Sequence, residues 1–235
     1  MSPDDNPLRR KLSARAPLTA HEEQALFDLW VRTMTFGARR DIVREGESAG
    51  SCGLLLSGLA CRYSMTSDGK RQITSFIVPG DIYDIQSFLL ETMDHSIASI
   101  SPCEIAIIPH DTLLAITKSS QRISLAIWKE SLAEAAIFRQ WIVNLGRRSA
   151  YHRIAHIMCE MFARHRMVGL TDGSRVAWPI TQAELGDATG LSVVHVNRSL
   201  QALRAEGLIT LSNGTLEIQD WARLSQVGQF DGRYL

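Results

Sequence analysis

The side chains best suited to recognition chemistry lie in one run, Ile180–Glu206, which reads ITQAELGDATGLSVVHVNRSLQALRAE. Arg198 carries a planar guanidinium that can donate two parallel hydrogen bonds, and the amides of Asn197 and Gln201 each offer both donor and acceptor. The local rules place these groups together. Thr181 with Glu184 three residues later makes a capping box, which starts one helix. Gly190 stands where a tight turn needs positive φ, and Gly186 is small where two helices must cross closely. Ser192 then caps a second helix, whose inner face is Val196, Leu200 and Leu203. That leaves Val194, His195, Asn197, Arg198 and Gln201 facing outward, a set that can enter the major groove of DNA. Gly207 ends the helix, and Leu208–Leu211, Asn213-Gly214 and Thr215–Ile218 form a hairpin on a two-residue turn. The expectation is a winged helix-turn-helix binding double-stranded DNA. The plainer alternative is a helix pair and hairpin that contact nothing.

Other reactive residues offer less. His152 and His156 are spaced i,i+4 with Cys159 three further on, but nothing supplies an obvious fourth ligand, so no metal site is assigned. The four cysteines, Cys52, Cys61, Cys103 and Cys159, contain no C-x-x-C pair, and reduced thiols are the default. Cys52 and Cys61 flank a turn at Ser57-Gly58, which would make them diagonal neighbours about 7 Å apart, the limit for a disulfide without backbone movement. Ordinary buried cysteine is the reading set against a thiol switch. A cupin-like metal enzyme is the rival class, since a jelly roll also hosts metal chemistry. It needs an H-x-H pair, and the chain has none. No catalytic residue is assigned.

The elements that must position the recognition run follow from pattern. Residues 1–17 are polar, rich in Pro and Arg and without period, and read as a mobile arm. Thr19 and Glu22 form another capping box, opening a helix over Ala20–Trp30. From Phe36 to Pro109, short β-rich runs (Gly53–Leu56, Leu59–Tyr63, Gln72–Val78, Ile97–Ile100 and Glu104–Ile108) alternate with glycine turns, the pattern of a jelly-roll-like barrel. Helix resumes at Asp111–Ile116 and runs long over Arg122–Arg148, where Leu125, Trp128, Leu132, Ala135, Ile142 and Leu145 make a narrow apolar seam, broken by Arg139. Such a seam pairs two copies, or else covers the barrel within one chain. Tyr151–Arg164 is a further helix. The domains expected are the arm at 1–17, an effector-sensing β-roll at 18–120, a dimerisation helix at 121–148 and the winged helix-turn-helix at 149–235.

Composition sets wide bounds: 235 residues, 45% hydrophobic and 21% charged, describe a globular chain of two domains. Residues 1–146 carry 15 Lys+Arg against 17 Asp+Glu, and residues 147–235 carry 10 Arg against 8 acids, a slight tilt toward a polyanion partner for the second half. With no apolar run of membrane length and no secretion signal at the start, a cytoplasmic protein without a membrane partner is expected.

The order of barrel, long helix and winged helix resembles the catabolite-activator and Fnr (CRP/FNR) superfamily of bacterial regulators. The resemblance spans Phe36 to Ile218 and is strongest over Ile180–Leu203 and over GLLLSGLACRYSMTSDGKRQITSFIVPGDIYD, residues 53–84. It implies an α+β chain with a β-roll of cyclic-nucleotide-binding fold, a homodimer and a palindromic promoter site, with RNA polymerase as a further partner. It also implies an effector pocket, for which Ile82, Asp84, Ile85, His95, Ser96 and Trp128 are the candidates. In cyclic-nucleotide-binding members a Gly-Glu pair holds the ribose and an Arg beside Ser or Thr holds the phosphate. The matching positions here are Asp84-Ile85 and His95-Ser96. An Asp repels a cyclic phosphate and neutral His lacks the fork of Arg, so cyclic AMP is disfavoured. An iron-sulfur cluster is disfavoured because no cysteine precedes Cys52. Haem through His95, His110 or a cysteine, a small-molecule effector, and a ligand-free constitutive regulator all stay open. The resemblance further gives Arg198 a guanine to read. It sets Val194 where many relatives carry a Glu that accepts from cytosine, and His195 and Ser192 are expected mainly toward phosphates.

Overall fold

The computed structural model describes residues 6–48, 50–88 and 92–235, which fall into two compact units. Of these described residues, the first unit takes those within 6–63, 76–134 and 167–169, the second those within 64–75, 135–166 and 170–235.

Among the described residues the first unit has eight strands: β1 (Arg32–Phe36), β2 (Asp41–Val43), β3 (Ser51–Ser57), β4 (Ala60–Met65), β5 (Arg71–Ile77), β6 (Ile82–Tyr83), β7 (Ser96–Ser99) and β8 (Cys103–Pro109). They form two four-stranded sheets, ordered β1-β8-β3-β6 and β2-β7-β4-β5. Strand alternation sorts side chains between two cores. Leu55 of β3 and Ile105 of β8 join Ala60, Ile77, Tyr83, Ile97 and Cys103 in a core fed by both sheets. Their neighbours Cys52, Leu54, Ala106 and Ile108 turn to the opposite face and meet helices. Those helices are α1 (Pro7–Arg15), α2 (Ala20–Phe27), α3 (His110–Ser119) and the start of α4 (Gln121–Arg147).

Helix α1 corrects the expectation of a mobile arm. Asn6, itself fully buried, caps it by accepting from the Leu8 amide at 2.9 Å, and Pro7 sits in the first turn. Leu8 and Leu12, one turn apart, fill the core behind β3. Lys11 is ion-paired with both Asp81 and Glu130, and Arg15 reaches Glu130 at 2.9 Å. The polar residues that suggested mobility satisfy acids on other elements, which sequence pattern does not reveal. The capping box at Thr19 and Glu22 is present, with the helix ending at Phe27 rather than Trp30. The expected proximity of Cys52 and Cys61 is also corrected. β3 and β4 lie in different sheets, where Cys52 pairs with Ile108 and Cys61 with Ala98. The chain crosses between sheets at Gly58, φ +90°, where an added Cβ would lie 2.2 Å from the Pro102 carbonyl.

Helix α4 divides its faces along its length. Ile123, Ala126, Ala133, Ile137 and Trp141 are buried. Leu125, Trp128, Leu132 and Ile142 lie 46, 70, 61 and 70% exposed, with Arg139 also outward and Ala135 and Leu145 intermediate. The seam read from spacing is therefore open within one chain, while Ile123 and Ala126 of the other face pack in the helix-side core of the barrel.

The second unit continues with α5 (Ala150–Met167), α6 (Gln182–Thr189), α7 (Val193–Ala205) and α8 (Trp221–Gly228), with a sheet ordered β10-β11-β9 (Ile209–Ser212, Thr215–Ile218, Arg175–Ala177). Its polar interior centres on Glu160 of α5, 1% exposed, which accepts from Trp141 Nε1 at 3.1 Å and the Tyr234 hydroxyl at 2.9 Å. Burial pushes the Glu160 carboxyl up from the ordinary range.

Candidate nucleic-acid interface and effector pocket

Both halves of the helix-turn-helix take the conformations their residues demand. The Thr181 hydroxyl accepts from the Glu184 amide at 3.2 Å, and the Glu184 carboxylate accepts from the Thr181 amide at 2.7 Å. Gly190 closes α6 at φ +65°, and a Cβ on Gly186 would lie 2.7 Å from the Leu191 carbonyl, so the turn requires both glycines. Arg153 of α5 donates to the Thr189 carbonyl at 2.8 Å and fastens the same turn from behind. Ser192 caps α7 through the His195 amide at 3.4 Å, and its hydroxyl is hydrogen-bonded to His195 Nδ1 at 2.8 Å.

On α7 the expected division holds. Val196, Leu200 and Leu203 are buried, while Ser192, Val194, His195, Asn197, Arg198 and Gln201 are all exposed. Asn197 donates to Gln182 Oε1 at 3.3 Å, linking it to the first turn of α6. Helical spacing on α7 does not reveal Gln182, and its position right after the Thr181 cap is the available clue. The hairpin turns at Asn213 and Gly214, both at positive φ, as a two-residue primed turn requires. Strand β9 widens it to three strands, pairing Val176 with Leu216.

The effector candidates separate into two groups. Asp84 and His95 come together: Asp84 is 1% exposed, and its Oδ1 lies 3.8 Å from His95 Nε2. Asp84 sits at φ +63°, a conformation glycine adopts freely and an L residue adopts at a cost of about 1–3 kcal/mol. Burial raises its pKa to about 7, with Glu134 and Asp94 pushing in the same direction and Arg62 opposing. Burial, then Arg62, lowers that of His95, whose Nδ1 is held 2.7 Å from Asp94. Ile82 packs in the helix-side core with Ile85 against it, and Ser96 is buried, its hydroxyl accepting from the Glu45 amide at 3.0 Å. Trp128 does not join them. It belongs to the open face of α4, and Glu134 is the α4 residue that enters the cluster.

Local sequence pattern does not point to Arg62 and Glu134 as partners. Arg62 is 3% exposed on β4 and forms an ion pair with Glu134. A single cation inside an apolar strand run was the signal available, because a buried charge demands a partner. The His152, His156 and Cys159 spacing is structural. His156 is fully buried, bonded to the Gly228 carbonyl at 2.9 Å and stacked on Tyr234, with its pKa lowered to about 4 chiefly by burial. Among the described residues no group of three or more His, Cys, Asp or Glu is placed to hold a metal ion. The four cysteines are buried and not joined in disulfides, and burial drives the thiols of Cys52 and Cys159 up to about 12, far from a reactive thiolate. Among the described residues no helix is long and apolar enough to cross a membrane.

Comparison with known proteins agrees with this architecture. Residues 33–120 match the cyclic nucleotide-binding domain model and residues 152–227 the Crp-like helix-turn-helix domain model. The chain is 24% identical over 217 residues to the transcriptional activator protein anr of Pseudomonas aeruginosa, covering 92% of this chain and 88% of that one. It is 26% identical over 195 residues to the nitrogen fixation regulation protein FixK of Bradyrhizobium diazoefficiens, covering 82% and 80%. The solved structure of FixK2 from Bradyrhizobium japonicum superposes with a TM-score of 0.75 at 23% identity, over 83% of this chain and 96% of that one. With a barrel of cyclic-nucleotide-binding fold, a long helix and a Crp-like helix-turn-helix in one chain, the protein belongs to the CRP/FNR superfamily of DNA-binding transcription regulators, which are not enzymes.

Proposed function

We propose that the protein acts in the cytoplasm as a two-fold dimer, pairing through Leu125, Trp128, Leu132, Ala135, Ile142 and Leu145, and reads a palindromic promoter site with one α7 per half-site. The observation that carries this is the exposure of two separate surfaces: the apolar face of α4, and the polar and valine face of α7. Regulators of this type bind DNA and act as dimers. Each α7 enters the major groove, where Arg198 reads guanine through O6 and N7, a contact worth about 1–3 kcal/mol of discrimination. Val194, 64% exposed, can touch a thymine methyl but cannot accept from cytosine. Ser192 and His195, tied to each other, face phosphates, and Asn197 and Gln201 complete the surface. Because similar proteins are named as transcriptional activators, recruitment of RNA polymerase is the expected consequence of binding.

The Asp84 cluster is the effector-sensing region of this regulator. Neither haem nor a nucleotide is assigned to it. Selection from a random DNA library tests the recognition scheme with wild type, Arg198→Ala and Val194→Glu. Arg198→Ala loses the guanine preference but keeps salt-dependent non-specific binding, and Val194→Glu sharpens selection of cytosine. An unchanged consensus in both variants refutes base reading by α7.

A further inference from the structure

The buried cluster contains an arrangement that DNA reading does not use. Two side-chain atoms within it, Asp84 Oδ1 and His95 Nε2, are buried and lack a hydrogen-bond partner among the described residues. They lie 3.8 Å apart, beyond hydrogen-bond length, yet close enough for one proton to bridge them after a small movement. Buried polar atoms without partners are unfavourable, and a facing pair is most simply explained if a proton between them is part of the working molecule. Arg62, on the neighbouring strand, links this pair to α4 through its ion pair with Glu134.

We propose that Asp84 and His95 form a proton-binding site whose occupancy sets how firmly Arg62 holds Glu134, and with it α4, against the β-roll. The groups around Asp84 leave it the one that titrates. From β3, the Cys52 thiol donates to the Asp84 carbonyl at 3.4 Å, and burial keeps that thiol protonated. From β6, burial pushes the Tyr83 hydroxyl well above its ordinary value. Ser87 donates to the Asp84 carbonyl at 2.6 Å and is linked to His110 Nε2 at 3.1 Å, outside the carboxyl. The charges felt by the carboxyl are Arg62 on β4, Glu134 on α4 and Asp94 before β7. Protonated Asp84 leaves Arg62 and Glu134 as a balanced pair. Ionised Asp84 places a second carboxylate beside one guanidinium and draws it away from Glu134. Because burial raises the carboxyl to about 7, the folded protein keeps this proton on the acid side and loses it as pH rises through neutrality. Acidification therefore tightens the seat of α4, and alkalinity loosens it.

The link from that seat to DNA affinity rests on α4 being the dimer seam proposed above, whereas the proton site does not. Two measurements on the full chain separate them. Carbon-13 NMR of the aspartate carboxyls should show a resonance with a midpoint near 7 that vanishes in Asp84→Asn. Fluorescence anisotropy with operator DNA should show the ratio of wild-type to Asp84→Asn affinity changing with pH, by at most about tenfold per unit for one linked proton. Groups common to both proteins cancel in that ratio. Glu134→Gln should keep an Asp84 carboxyl titration, with its midpoint moved down because Glu134 no longer raises it, and lose the pH dependence of affinity. An Asp84 carboxyl titrating in the ordinary acid range overturns the site. Parallel affinity profiles for wild type and Asp84→Asn, with the midpoint near 7 intact, overturn the coupling to α4.

Discussion

Leu132 gives the sharpest test of the dimer, because its worth can be worked from the structure. It lies 61% exposed at the middle of the open face of α4, with Trp128 and Leu125 before it and Ile142 beyond. Full burial of a leucine side chain is worth about 1.5–3 kcal/mol, so covering the exposed part contributes about 1–2 kcal/mol per protomer. A two-fold axis counts each side chain twice, giving about 2–4 kcal/mol per dimer. Leu132→Ala should therefore weaken association by about 30- to 1000-fold at 1.4 kcal/mol per decade. Leu132→Asp should go further and leave monomers, since two like charges would face each other in a desolvated contact. Sedimentation velocity across a dilution series reads the dissociation constant. Ile137→Ala is the control: that side chain is 7% exposed and buried in its own chain, so the change lowers folding stability by about 2–5 kcal/mol. An unchanged dissociation constant for Leu132→Ala, with a large shift for Ile137→Ala, would refute the seam and assign dimerisation to the opposite face.

Two further outcomes follow from the first unit. Calorimetry should detect no cyclic AMP binding at micromolar concentration, because Asp84 and Ile85 stand where nucleotide-binding members carry Gly and a ribose-binding Glu, and Arg62 is engaged by Glu134; saturable micromolar binding would show that Arg62 can be released to a phosphate. Lys11→Ala should destabilise the chain by about 3–5 kcal/mol in urea unfolding, since it removes the cation that the buried Asp81 shares with the partly buried Glu130, and a loss below about 1 kcal/mol would mean that α1 is held by the burial of Leu8 and Leu12 and not by these ion pairs.

The recognition helix was legible because each of its requirements is local. A cap needs its partner within one turn, a left-handed residue needs glycine at that position, and helical spacing sorts Val196, Leu200 and Leu203 inward without reference to the rest of the chain. The same holds for the α4 seam, although spacing alone could not say whether a second copy or the barrel would cover it. The exposed Trp128, set against Ile123 and Ala126 in the barrel's core, separates those faces. What failed were inferences about distance across the barrel. Cys52 and Cys61 flank a glycine turn like hairpin partners, but the strands leave that turn into different sheets. Helix α1 failed for a related reason, its charges being neutralised by Asp81 and Glu130 from far along the chain.

The buried charge cluster joins both lessons. Arg62, Asp84, His95 and Glu134 come from a strand, a corner, a loop and a helix, and no local rule relates any two of them. Sequence comparison with nucleotide-binding relatives could identify Asp84 and His95 only as departures from a phosphate site. Physical reasoning assigns them a positive role once their partners are known. A carboxyl held at φ +63° in a dry corner is poorly suited to receive an anion, because both its charge and its desolvation oppose one. The same two properties suit it to hold a proton near neutral pH, and Arg62 converts that proton into a change in what Glu134 feels on α4. A β-roll that binds nucleotides elsewhere can thus serve a different signal through a few charged residues, while the local rules that build its recognition helix stay untouched.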